Sequence, residues 1–182
     1  MFVSTSQYHS LWGLLCLATT SQGILGCWFE GQKHFPSKDD WQDEQSAASL
    51  RWLAIAKTWL DHYFDGRQPS LKGLAMVEPK TPFLCSVRKT MCQIPYGQTL
   101  TYGALAKMVA RDLGKTSMAA QAVAQAVAHN PLSIFVPCHR VVGARGALTG
   151  YAAGLSVKRQ ILEFEGIGMD DNNRVDPDHM MA

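Results

Sequence analysis

The chain opens with short apolar and polar alternations. Residues 3 to 9, 13 to 19 and 24 to 29 each read as a strand, punctuated by Gly13 and Gly23, and together they predict a small antiparallel meander. Residues 31 to 45 are polar, contain Pro36 and read as a loop. The period then changes. Between Ser46 and Phe64, Leu50, Leu53, Ala54, Leu60 and Phe64 recur at steps of three and four, and Trp52, Ile55, Trp59 and Tyr63 widen the apolar face, so the spacing predicts a helix that Gly66 stops. Pro69 to Pro82, with Gly73 and Pro79 between them, reads as a linker that places a domain boundary near residue 80.

Beyond it the helical period dominates. Phe83 to Gln93 carries Phe83, Val87 and Met91 on one stripe; Thr101 to Leu113 carries Leu105, Met108 and Val109 and stops at Gly114; Ser117 to His129 is alanine-rich and ends before Pro131. Two short helices about a glycine-containing turn predict a helix-turn-helix, a pattern that ordinary helical cores share. The second helix has small side chains over most of its surface, which suits either tight helix packing or the close approach of a large partner. Val141-Val142 and Ala147-Leu148, separated by Gly143 and Gly146, read as a hairpin. Ser156 is placed as the cap of a last helix with Val157, Ile161, Leu162 and Phe164 inward, ending at Glu165 and Gly166. From Met169 onward the chain is acidic and reads as a loose tail. The expected domains are therefore 1–80, 81–168 and a flexible 169–182.

Composition adds little until it is split by segment. The chain has 182 residues, 47% of them apolar, enough for a packed core. Its net charge of +2 is uninformative, but residues 81 to 165 hold nine Lys/Arg against three Asp/Glu, which fits phosphate contact or a solvated basic face. The five cysteines form no CxxC pair, which points to a reducing compartment, and the apolar stretch Leu11 to Ala18 is short and has no basic flank. A cytoplasmic protein, without membrane contact, is expected.

One stretch carries chemistry. In Ile134-Phe135-Val136-Pro137-Cys138-His139-Arg140-Val141-Val142 a thiol and an imidazole are adjacent inside an apolar run. Free cysteine is only roughly 3% thiolate at neutral pH, so a nucleophilic Cys138 needs a base, for which His139 is the nearest candidate, and a third group to orient it. Glu165, at the end of the last helix, is a candidate orienter.

The Pro137-Cys138-His139-Arg140-Val141-Val142 run, the Asn130-Pro131 lead-in, the loop Thr149-Gly150-Tyr151-Ala152-Ala153-Gly154-Leu155 and the ending Leu162-Glu163-Phe164-Glu165-Gly166 together resemble the O6-alkylguanine-DNA alkyltransferases, strongly over residues 80 to 166 and more loosely through Gly26-Cys27-Trp28-Phe29. The resemblance implies a repair protein that flips an alkylated guanine out of double-stranded DNA and moves the alkyl group from O6, and from O4 of thymine, onto Cys138, once per molecule. It implies that His139 acts on Cys138 through a water, that Glu165 holds the imidazole, and that Asn130 ties the recognition helix to the active-site turn. Tyr102, Tyr151, the Ala152 amide and the Val141 carbonyl are implied to meet the extruded base. The small-residue helix, with Ala119, Ala120, Ala122 and Ala124, would lie in the minor groove, and Arg140 is counted among the DNA-facing groups.

The chain departs from the family's pattern at Gln121, which stands where an intercalating arginine is usual, and at Gln125, which stands for a glycine; the preceding loop is also longer. The zinc ligands of some members are not found, so neither metal nor cofactor is expected, and the protein is expected to be a monomer. The alternative is a non-catalytic lesion-binding protein, but such relatives have tryptophan in place of Cys138. The expected fold is α/β: an amino-terminal domain with a small antiparallel sheet and a helix, then a mainly helical carboxy-terminal domain with the helix-turn-helix.

Overall fold

The structure, a computed structural model, describes residues 1–39, 41–43 and 45–181. These fall into two compact units, one of residues 1–78 with 131–135 and one of residues 79–130 with 136–182. The short return of 131–135 to the first unit is a long-range pairing that a linear reading of the chain cannot place.

In the first unit β1 (Phe2–Ser10), β2 (Gly13–Thr20) and β3 (Gly23–Phe29) form the antiparallel meander, and β4 (Gln42–Asp43) adds in parallel to β1, giving the order β3-β2-β1-β4. Two-residue links join the strands. β3 is buried at every position but Leu25 because its outer edge is occupied: Ile24 exchanges backbone bonds with Ala75 and Val77, and Cys27 does so with Pro131 and Ser133. An edge closed in this way offers no template for a foreign strand.

Helix α1 (Ala47–Phe64) starts where Ser46 accepts a bond from the Ser49 amide, and it packs on the sheet. Its buried stripe is Ser49, Leu53, Ala56, Trp59, Leu60 and Tyr63, whereas Leu50, expected inside, is 42% exposed. The reason is polar. Ser49 Oγ lies 2.7 Å from Ser4 Oγ and its carbonyl accepts from Thr19 Oγ1 at 2.8 Å, so this face docks on the sheet through hydrogen bonds that hydrophobic spacing cannot register.

In the second unit α2 (Pro82–Met91), α3 (Tyr102–Asp112) and α4 (Ala120–Ala128) pack on one another. Thr81 and Thr101 cap the first two, each accepting from the amide three residues on. α4 starts later than expected and has Ala119 at its cap position, with no side-chain bond. The hairpin expectation is corrected: β6 (Val141–Val142) pairs in parallel with β5 (Leu100–Thr101), while Ala147 bridges to Arg174. A five-residue turn closes after β6, with the Gly143 amide donating to Ala147 O, but the returning strand takes a different partner.

The cap of α5 (Leu155–Phe164) is Gly154, not Ser156. At φ 96° and ψ 154° that residue occupies a region open essentially to glycine alone, so backbone freedom rather than a hydroxyl starts the helix.

The loose tail is also corrected. Val175 is 2% exposed and packs with Val142, Leu148, Leu162 and Ile167, with Met169 and Met180 against them. Backbone bonds from Thr99 to His179 O and from Met181 to Thr99 O add the chain end beside β5. Acidic residues dominate the composition of this segment and hid three spaced apolar anchors. Val175→Ala should lower stability by about 2 kcal/mol, or roughly 4–8 °C in melting temperature, while Asp171→Ala, on an exposed turn, leaves the melting curve in place.

Candidate active site

The sulfur is delivered by an irregular stretch of backbone. In the first unit the Phe135 amide bonds back to Ser133 O around Ile134, a β-branched residue held at φ 71°, which is a strained γ-turn. In the second unit the Cys138 amide bonds to Val136 O at 2.7 Å around Pro137 (φ −78°, ψ 59°), the common inverse γ-turn, for which proline's fixed φ is suited. Cys138, His139 and Arg140 then form a single 3-10 turn that runs into β6.

Within that unit the structure brings the four expected catalytic residues together. Cys138 is 6% exposed, Asn130 7%, Glu165 3% and His139 fully buried. Asn130 follows the last residue of α4 by two positions, and its Nδ2 donates to Val136 O and to Cys138 Sγ, both at 3.1 Å, so one side chain fixes the turn and contacts the sulfur. His139 Nε2 lies 3.0 Å from Glu165 Oε1. With a carboxylate there as acceptor, Nε2 carries the ring proton and Nδ1 is left as the basic atom. Nδ1 is buried and has no hydrogen-bond partner among the described residues.

Glu165 is where the site's charges meet. Burial alone pushes its carboxyl upward, but His139 and Arg140 outweigh burial and bring it down to about 2. Arg140 Nε donates to Oε2 at 2.7 Å, Nη2 to Oε1 at 2.8 Å, and Nη1 to Ile94 O at 2.7 Å. This corrects the assignment of Arg140 to the DNA-facing set: its side chain is 11% exposed and its charge is turned inward.

Lys158 was not anticipated. It is fully buried on α5, and its ammonium donates to Val141 O at 2.5 Å and Thr149 O at 2.7 Å, with Gly150 O at 3.3 Å. Burial brings its pKa down to about 8. The sequence did hold a signal. Lys158, Ile161, Leu162 and Glu165 follow one another at the i, i+3, i+4 and i+7 spacing of a single helix face, so the inward stripe bears a charge at each end. Burial pushes the Cys138 thiol up, and the Asn130 amide, the Lys158 cation and the amides of Cys138 and His139 pull against it.

Tyr102, at the start of α3, is half-buried, and a side chain at Gly150 would come within 3.4 Å of its hydroxyl, so Tyr102 and the 149–154 loop are neighbours. Burial and the nearby Cys138 push its phenol up to about 12. Tyr151 and Ala152 are half-buried in that loop, and Val141 is buried with its carbonyl on Lys158. The α4 residues stand apart from this cluster: Ala119, Ala120 and Gln121 are exposed and Ala122 and Ala124 half-buried, while Val123 and Val127 hold the helix to the core.

The sign of the Glu165 shift gives a stability prediction. A carboxyl at about 2 in the folded chain, against its ordinary 4.5, contributes stability that is full above pH 4.5 and is lost as pH falls toward 2. That contribution is on the order of 3 kcal/mol. Acid titration of unfolding free energy should therefore show Glu165→Gln to be less stable than the parent at neutral pH, with a shallower loss across that window.

Comparison with known proteins places this geometry. The family description "6-O-methylguanine DNA methyltransferase, DNA binding domain" matches residues 82–167. The methylated-DNA--protein-cysteine methyltransferase of Methanosarcina barkeri is 37% identical over 154 residues, 84% of this chain and 90% of that one; that of Methanosarcina acetivorans is 36% identical over 160 residues, 87% and 96%. Among solved structures, the Mycobacterium tuberculosis OGT in complex with DNA superposes with a TM-score of 0.75 at 35% identity, over 91% of this chain and 93% of that one. With the motif, the buried Cys-His-Glu arrangement and these matches in agreement, the chain belongs to the methylated-DNA--protein-cysteine methyltransferase family.

Proposed function

We propose that the protein repairs DNA by moving an alkyl group from O6 of guanine, or O4 of thymine, onto Cys138. The observation that carries this reading is the Asn130–Cys138 and His139–Glu165 pair of contacts, buried together in a member of this family. In the reaction the thiol proton passes through a bridging water to His139 Nδ1, the atom left basic by the Nε2 contact. Sγ attacks the alkyl carbon, a C–S bond forms, the bond from carbon to O6 breaks, and the purine leaves with the proton in place of the alkyl group. The product is a thioether with no leaving group, so each molecule acts once.

With Cys138 only 6% exposed, the protein cannot reach a base inside a stacked duplex, and the base must be extruded at a cost of a few kcal/mol. Tyr102, Tyr151, the Ala152 amide and the Val141 carbonyl form the receiving pocket in this reading. α3 and α4 act as the helix-turn-helix, with Ala119, Ala120, Ala122 and Ala124 in the minor groove and Gln121 entering the gap in the stack. Glutamine has the reach for that position but not the charge.

Incubation with an oligonucleotide containing O6-methylguanine should add one methylene to the peptide holding Cys138, and Cys138→Ala should gain nothing; an unmodified wild-type peptide after full exposure refutes repair. Gln121→Arg should tighten duplex binding and steepen the log–log salt dependence by about one unit, read by fluorescence anisotropy at several salt concentrations. An unchanged slope removes Gln121 from the interface.

A further inference from the structure

Arg140 lies within the motif but has no part in the transfer step just described. Its planar fork takes both oxygens of Glu165, its remaining nitrogen is fixed by Ile94 O, and its guanidinium carbon lies 5.6 Å from the centre of the Tyr96 ring. Glu165 Oε1 is thus shared between Arg140 Nη2 and His139 Nε2. A simpler anchor for Glu165 would have been a backbone amide, which orients a carboxylate without neutralising it.

The difference matters for the imidazole. A ring bonded to a lone buried carboxylate is driven toward imidazolium, because the pair then cancels its charge. An imidazolium cannot accept the thiol proton. We propose that Arg140 is a positioning residue for alkyl transfer: by balancing the Glu165 charge through its two-pronged contact, it lets the carboxylate align His139 while the ring remains neutral and able to take the proton. This rests on the reading of His139 as the base for Cys138.

The influences on the ring pull in opposite directions, and those that lower its pKa prevail. Burial lowers the His139 pKa, Glu165 raises it, and Arg140 from the same turn and Lys158 from α5 lower it, with a lowered value as the outcome. The other titratable groups near the pair are the Cys138 thiol, touched by the neutral Asn130 amide, and the phenols of Tyr96 and Tyr102, both pushed up by burial and so protonated near neutral pH. Arg140 and Lys158 are therefore the two cations that oppose Glu165, and Arg140 is the one in contact with it.

The proposal is tested by nitrogen NMR of the His139 ring alongside rates of methyl transfer. In the wild-type chain at pH 7 the ring should carry one proton, on Nε2; a ring protonated on both nitrogens overturns the proposal without any substitution. In Arg140→Gln the His139 titration should move to higher pH, and the ratio of transfer rates at pH 8 and pH 6 should rise about tenfold, the factor that one unit of pKa carries. Arg140→Lys keeps the charge and should stay near the wild-type titration. An ion pair that only supports the fold would lower the melting temperature of both variants and leave the ring's titration where it was, and that result overturns the proposal. Failure of the underlying reading shows elsewhere, as a wild-type Cys138 that gains no methylene.

Discussion

The site depends on a carboxylate whose side chain is wholly buried. An ionised group so far from water costs several kcal/mol unless its oxygens are fully engaged, and removing a partner from such a group is expensive because the charge stays behind. Glu165 meets that demand with two residues from one turn, His139 and Arg140, so the end of α5 and the turn that bears the sulfur are fixed by a single bonded group. The geometry around Cys138 follows from the need to satisfy that charge.

α5 acts as the ruler for this arrangement. Lys158 and Glu165 are seven residues apart, two helical turns or about 10.5 Å, and face the same way. The ammonium gathers the Val141 and Thr149 carbonyls at one end, and the carboxylate gathers the imidazole and guanidinium at the other. The turn, β6 and the 149–154 loop are short and irregular and could not hold a fixed arrangement by backbone bonding alone. A packed helix with a charge at each end of its inward face supplies the rigidity they lack.

Much of this was legible from the chain and some was not, for separable reasons. The three strands, α1 and the sequence Cys138-His139 to Glu165 could be read because alternation, helical period and a specific motif each leave a mark that is local. The partner of β6 could not, because a two-residue strand has no period and its neighbour, Leu100–Thr101, lies 41 residues earlier. Lys158 was missed because lysine at a helix position reads as solvated unless its apolar neighbours on the same face are counted. Arg140 was misassigned because a cation inside a basic segment looks available to phosphates until its acceptors are known. The acidic tail misled in the opposite direction, since Val175, Met169 and Met180 are too widely spaced to form a pattern but close in the fold.

The charge excess of residues 81 to 165 takes on a different meaning once the cations are placed. Arg140 and Lys158 are turned into the site, Lys89 is paired with Asp112, and Arg159 with Glu163. Arg88 is half-buried on α2, and Lys107, Arg111 and Lys115, on α3 and the loop that follows, and Arg145 remain exposed. Each phosphate neutralised contributes about 0.9 to the salt slope, so the four exposed cations by themselves would support a slope of about 3.6 if each met a phosphate, well short of that of a strongly electrostatic DNA binder. In the repair reading proposed above, affinity for duplex then draws on the fit of the small-residue face of α4 to a groove, where an alanine surface lets backbone and phosphate ribbon approach closely. In that reading charge sets protonation and position within the site, and the contact with the partner is left to shape.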